Sequence, residues 1–265
     1  MEARLIGRIR AWARAVAAAC LLAAPGVAQE GPRIAAASDL QFALDEIAAA
    51  FRAETGAGVT VVYGSSGNFT RQIQQGAPFE MFLSADEGFV FQLADAGLTR
   101  DRGELYAEGR IVIFAPAGSP LRADAALEGL REALATGRIA RFAIANPEHA
   151  PYGRAAEQVL KGQGLWDAVR PRLVLGENVS QAAQFALSGS AQGGIFAYSL
   201  ALSPMVGGRG SYALLPAEWH APLLQRMVLL RNAGPVAARF YDFVRAPTAR
   251  AVLRKYGFVL PGEGS

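Results

Sequence analysis

The chain is poor in the side chains that carry covalent and metal chemistry. Its 265 residues include one cysteine, Cys20, and two histidines, His149 and His220. A lone cysteine excludes an internal disulfide framework and any cluster of thiolate ligands. Two histidines so far apart in sequence offer no ligand spacing for zinc, so no metal ligated by protein side chains is expected. Charged residues make up 18% of the chain and form no block of one sign. No internal repeat and no low-complexity run is present, and the only long apolar stretch lies near the N-terminus. With 52% apolar residues, the chain has enough material for one large core or two smaller ones.

That N-terminal stretch reads as a leader. Arg4, Arg8, Arg10 and Arg14 precede an apolar run from Ala15 to Ala24, followed by Pro25 and the small residues Gly26, Val27 and Ala28. The order is that of a secretory signal peptide over residues 1–28 with cleavage after Ala28, and the run is too short for a permanent membrane span. Cys20 falls inside it, three residues after Ala17 where a lipidation motif would carry a large aliphatic, so no lipid anchor is expected. Removing the leader's four arginines and one glutamate leaves 22 basic and 22 acidic residues. A protein of balanced charge lacks the standing basic field that nucleic acids and anionic membranes require. An anionic ligand would have to be held by local dipoles.

The remainder alternates short apolar strands with amphipathic helices. Strands are expected at Arg33–Ala37, Val59–Tyr63, Phe79–Ser84, Arg110–Ala115, Arg141–Ala145, Arg172–Leu175 and Gln225–Arg231. A helix from Asp39 to Glu54 places Leu40, Leu44, Ile47 and Phe51 on one face, with Gly56 and Gly58 beyond its end. Such alternation implies an α/β fold. Small and polar residues stand where strands give way to helices: Ser38, with Gln41 three residues on as a capping box; Ser65, Ser66 and Gly67; Ala150 to Gly153, with Pro151 suited to a first helical turn; and Asn178 to Ser180. Helix N-termini present free N–H groups and a partial positive charge, and several meeting at one point form an anion site without a lysine. Any one such junction is ordinary helix capping.

Several runs, in this order, closely resemble the periplasmic molybdate-binding protein family. They are AAASDL (Ala35–Leu40), GSSGNFTRQIQQGAPFEMFLSADE (Gly64–Glu87), NPEHAPYGRAAEQVL (Asn146–Leu160) and GENVSQAAQFALSGSAQGGIFA (Gly176–Ala197), and at the C-terminus FYDFVRAPTARAVLRKYGF (Phe240–Phe258). The resemblance spans Ile34 to Phe258. It implies a type II periplasmic binding protein fold, two α/β lobes joined by a two-segment hinge. Lobe one would comprise residues 29–112 and 224–265, and lobe two residues 113–223. It also implies a periplasmic, monomeric protein that captures molybdate or tungstate for an inner-membrane ABC permease with its ATPase, with no cofactor and no nucleic-acid partner.

Carried over position by position, the resemblance assigns ligand hydroxyls to Ser38 and Ser66 and backbone N–H groups to Asp39, Tyr152 and Val179. It also gives Tyr152 a hydroxyl role. The family's run of the GIVY type stands here as GIFAY, shifting the tyrosine one place to Tyr198, a secondary candidate. Molybdenum would be present only inside the oxyanion, with no direct ligation by protein atoms. Dianions such as molybdate, tungstate and sulfate call for donors alone. Hydrogen phosphate would also need an acceptor; Asp39 is the nearest one, but a first-turn carboxylate is expected to point to solvent. Arg71, Arg110 and Arg154 are expected on the surface, as are both histidines, and Trp166, Trp219 and the phenylalanines in the core. A different class, a secreted serine hydrolase, would pair Ser66 with His149 or His220; no GxSxG run and no orienting acid accompany them.

Overall fold

The computed structural model describes residues 31–263, so the expected signal peptide and Cys20 lie outside the described residues. Two five-stranded sheets organise the chain. The first contains β1 (Arg33–Ala37), β2 (Thr60–Gly64), β3 (Met81–Ser84), β4 (Glu104–Gly109) and β10 (Leu223–Leu229), ordered β2-β1-β3-β10-β4. The second contains β5 (Ile111–Pro116), β6 (Phe142–Ala145), β7 (Leu173–Gly176), β8 (Gly194–Ala197) and β9 (Gly210–Leu214), ordered β7-β6-β8-β5-β9. The two repeat one plan. Three parallel strands carry helical crossovers, and a fourth strand, antiparallel to its neighbours, arrives from the other half of the chain. The chain crosses from sheet to sheet at Arg110, where β4 gives way to β5, and again between Leu214 and Leu223. Ile111 and Val112 already pair in the second sheet, and Leu223 already pairs in the first.

The parallel strands are short and apolar because helices cover both their faces. Ile34, Ala35 and Ala36 are fully buried. On one side of the first sheet lies α1 (Gln41–Thr55), whose Leu44, Ile47 and Phe51 point inward as the periodicity predicts. Phe51 meets Phe240 and Phe243 edge-on, at 5.2 and 5.4 Å between ring centroids. Those rings belong to α9 (Pro235–Val244), which with α10 (Pro247–Lys255) returns the C-terminus to this sheet. The opposite face is covered by α2 (Ser66–Gln74) and α3 (Glu87–Asp95), through Phe69, Ile73, Val90 and Leu93. Each such fully buried side chain contributes roughly 1.5–3 kcal/mol. Around the second sheet pack α4 (Glu128–Ala135), α5 (Pro151–Gly162), α6 (Trp166–Val169), α7 (Val179–Leu187) and α8 (Tyr198–Ala201), with Trp166 and Trp219 at the edge of its core.

Two local expectations are corrected. The first helix opens with a 3-10 turn at Ser38–Leu40, and the Ser38–Gln41 capping box does not form. Both side chains turn instead toward the start of α7, where Ser38 Oγ donates to Asn178 Oδ1 (3.1 Å) and Gln41 Oε1 accepts from Ser180 Oγ (3.4 Å). Asn178 caps α7 as its residue type favours, accepting from the N–H of Gln181. The second concerns β4, β8 and β9, which have no counterpart among the expected strands: ELYAEG mixes charge with small residues, and GIFA and GSYAL are short and open on glycine.

Candidate functional site

The carboxyl ends of β1, β2 and β6, together with the start of α7 just beyond β7, converge where the sheets face one another. Ser38, Asp39, Ser66, Tyr152 and Val179 all line one small cavity of about 10 Å3, with Ala37, Gly64, Ser65, Ala85, Ala150 and Pro151. No arginine, lysine or histidine is among the lining residues. Pro151 opens α5 and has no N–H, so Tyr152 carries the first free amide of that helix. Val179 is the first residue of α7, with Asn178 capping two positions further on. Ser66 begins α2, and its Oγ accepts a hydrogen bond from the N–H of Ala85 at 3.0 Å. That bond uses an oxygen lone pair and leaves the hydroxyl hydrogen to be donated. A larger groove of about 580 Å3 runs beside Pro116–Pro120 and Leu187–Gln192, open to solvent and lined by none of these residues.

Behind the cavity lies a polar network that the sequence did not announce. The Asp39 side chain is buried, at 1% exposure, where a solvent-facing carboxylate was expected. Its Oδ2 accepts from Tyr152 Oη (2.9 Å) and from Gln225 Nε2 (2.6 Å), and Gln225 Nε2 also donates to Tyr152 Oη (2.9 Å). Tyr106 Oη donates to Gln225 Oε1 (2.7 Å) and so fixes which end of the amide faces Asp39. Ser199 Oγ donates to the Asp39 carbonyl (2.7 Å). The hydroxyl of Tyr152, expected on the ligand, is thus committed to Asp39, and what Tyr152 offers the cavity is its amide. Burial pushes the Asp39 carboxyl up to about 6, against the opposing pull of hydrogen bonds from Gln225, Tyr152 and the local backbone. Burial also holds the Tyr106 and Tyr152 phenols well above their ordinary range, and the nearby Asp39 charge adds to this. A β-bulge between Gln225 and Arg226 breaks the β4 pairing at this point, and Gly109 leaves the space: a Cβ there would sit 2.2 Å from Tyr152 Oη. The one legible signal was a glutamine inside the otherwise apolar start of β10.

The rim is bonded across as well. The N–H of Gly67 donates to the His149 carbonyl (3.0 Å), and Ser65 Oγ meets His149 Nδ1 (2.9 Å). Asn68 donates to Glu177, and Arg154 pairs with Asp86 while lying over the Phe89 ring. Neither histidine is on the surface. His149 packs into this rim, and His220 is buried beside the second crossover, where desolvation lowers its basicity. Arg110 is likewise no surface residue; it spans that crossover and donates to the Leu215 carbonyl. Tyr198 does not line the cavity. The one-residue shift turns its ring toward Tyr212, at 6.0 Å between centroids, and against Gly257.

A family model described as bacterial extracellular solute-binding protein matches residues 32–259. This chain belongs to that family. The solute-binding protein has the expected type II fold, two α/β lobes joined by two crossing segments, with the cavity between them. It is 37% identical to the molybdate-binding protein ModA of Rhodobacter capsulatus over 254 residues, 95% of this chain and 96% of the relative. The solved periplasmic molybdate-binding protein of Azotobacter vinelandii superposes with a TM-score of 0.77 at 30% identity, covering 87% of this chain and 99% of that one. The sulfate-binding protein SubI of Mycobacterium tuberculosis reaches a TM-score of 0.71 at 15% identity, a likeness of fold alone.

Proposed function

We propose that this protein captures molybdate, and tungstate with it, in the periplasm and delivers it to an inner-membrane ABC permease driven by its ATPase. The single observation that carries the reading is the cavity where helix starts from both lobes meet with the Ser66 hydroxyl and no cationic side chain. The relatives' ligand supports the choice of guest. The ligand contacts are the hydroxyls of Ser38 and Ser66 and the amides of Asp39, Tyr152 and Val179. Each bond to a charged oxygen contributes about 1.5–3 kcal/mol, so a handful of donors supports tight binding without an ion pair. Molybdenum stays inside its oxide shell and no protein atom ligates it. The mature chain begins near residue 29 and works as a monomer. Lobe one is built from residues up to Gly109 and again from Leu223, and lobe two from the stretch between.

A secreted hydrolase is the second reading, and one contact favours it. His149 Nδ1 reaches Ser65 Oγ and not the expected Ser66, whose Oγ meets the Ala85 amide, and His149 Nε2 lies 3.6 Å from Glu177 Oε2. Yet the Gly67 amide beside this serine is already taken by the His149 carbonyl, so the arrangement serves to join the lobes. A thermal-shift panel of molybdate, tungstate, sulfate, phosphate and chromate separates the readings. At a hundredfold excess over Kd, molybdate is expected to add about 2.7 kcal/mol, raising Tm by roughly 5–10 °C. An unchanged Tm with every oxyanion, or ester turnover lost in Ser65→Ala, overturns the transport reading.

A further inference from the structure

The network behind the cavity binds the Asp39 carboxyl asymmetrically. Oδ2 receives two side-chain donors, Tyr152 Oη and Gln225 Nε2, while Oδ1 is buried with no side-chain partner, the backbone N–H groups of Asp39 and Leu40 lying near the carboxyl. Tyr106 holds the amide of Gln225 so that its NH2 faces Oδ2, and the Tyr152 hydroxyl is within donating distance of the same oxygen. With both side-chain donors on Oδ2, Oδ1 is the oxygen open to a proton. Asp39 is itself a lining residue of the cavity, and a dianion placed there beside a buried carboxylate would meet strong like-charge repulsion.

We propose that Asp39 binds the oxyanion as a neutral acid, donating from Oδ1, so that capture of one dianion takes up one proton from solvent. The inference rests on the reading of the cavity as a dianion site, and it makes the side chain of Asp39 a specificity-determining contact in addition to its amide. The proton balance is simple: solvent supplies one H+, Asp39 Oδ1 holds it, and the anion accepts the hydrogen bond while remaining fully deprotonated. The raised basicity of the buried carboxyl makes this uptake accessible near neutral pH.

The groups around Asp39 do not compete for the role. Tyr106 from β4 and Tyr152 from α5 are phenols held far above neutrality, and Gln225 from β10 and Ser199 from α8 do not titrate. Among the described residues, no cation forms an ion pair with Asp39. His149 with Glu177 and Arg154 with Asp86 bond across the rim instead.

Calorimetric titration of the mature protein with sodium molybdate tests this, in buffers of differing ionisation enthalpy between pH 6 and 8.5. The expected result is uptake of about one proton per anion above pH 7 and a Kd that weakens about tenfold per pH unit there. Asp39→Asn is expected to lose both the uptake and the slope. Tyr152→Phe, which removes one donor from Oδ2, is expected to move the onset of the slope to higher pH. Binding without proton uptake, or a slope that persists in Asp39→Asn, overturns the inference while leaving the transport reading intact. Absence of any binding heat with molybdate and tungstate overturns both.

Discussion

The two ligand serines are not equivalent, and their difference can be measured. Ser66 Oγ accepts from the Ala85 amide and keeps its hydrogen free, whereas Ser38 Oγ already donates to Asn178 Oδ1 and accepts from the Ser180 amide at 3.3 Å. To reach a guest, Ser38 must exchange one neutral hydrogen bond for another to a charged oxygen; Ser66 gives up nothing. Ser66→Ala therefore removes a full charge-assisted bond, about 1.5–3 kcal/mol, or roughly a 10- to 150-fold loss in molybdate affinity. It also strands the buried Ala85 amide, destabilising the ligand-free protein by about 1–3 kcal/mol and lowering Tm by roughly 2–10 °C. For Ser38→Ala the loss in affinity is expected to be smaller, near about 1 kcal/mol, because only the difference between the two bonds disappears. Calorimetry on the three proteins, with melting curves on the ligand-free forms, reads both quantities. Equal affinities for wild type and Ser66→Ala, or a greater loss in Ser38→Ala, refute the reasoning.

Other outcomes follow from the same contacts. Gly67→Ala places a Cβ 2.8 Å from the His149 carbonyl; it is expected to impede closure and weaken molybdate binding, with circular dichroism unchanged. Gly109→Ala drives a methyl into Tyr152 Oη and Gln225 Nε2 and is expected to lower both Tm and affinity, as scanning calorimetry and titration would record. Asp39 gives a pH signature in the ligand-free protein. Its folded-state pKa, about 6, lies above the unfolded value, so the folded state binds more protons between the two. Stability should therefore rise as pH falls from about 7 to about 4, relative to Asp39→Asn measured in parallel by urea denaturation.

How far the sequence could be read depended on the range of the interactions involved. Periodicity placed α1 and its buried face because Leu40, Leu44, Ile47 and Phe51 are local facts of spacing. The cavity-lining residues were legible because each stands at a strand-to-helix junction, where backbone geometry follows from position. The partners of their side chains were not legible. Ser38 meets Asn178, and Asp39 meets Tyr152 and Gln225, across separations of more than a hundred residues. First-turn statistics sent Asp39 to solvent; a tertiary network took it inward. Tyr198 failed for the opposite reason: one inserted position at the end of β8 rotated its ring away, and only the packing of Tyr212 and Gly257 shows where it goes.

Strand β10 constrains the order in which the sheets can be completed. β4 pairs with no strand of its sheet except β10, which itself lies between β3 and β4. The N-terminal sheet therefore stays open until residues beyond Leu223 are available to enter its middle. Order of synthesis and order of completion are therefore opposed: the sheet whose strands come first in the chain is the last to be completed.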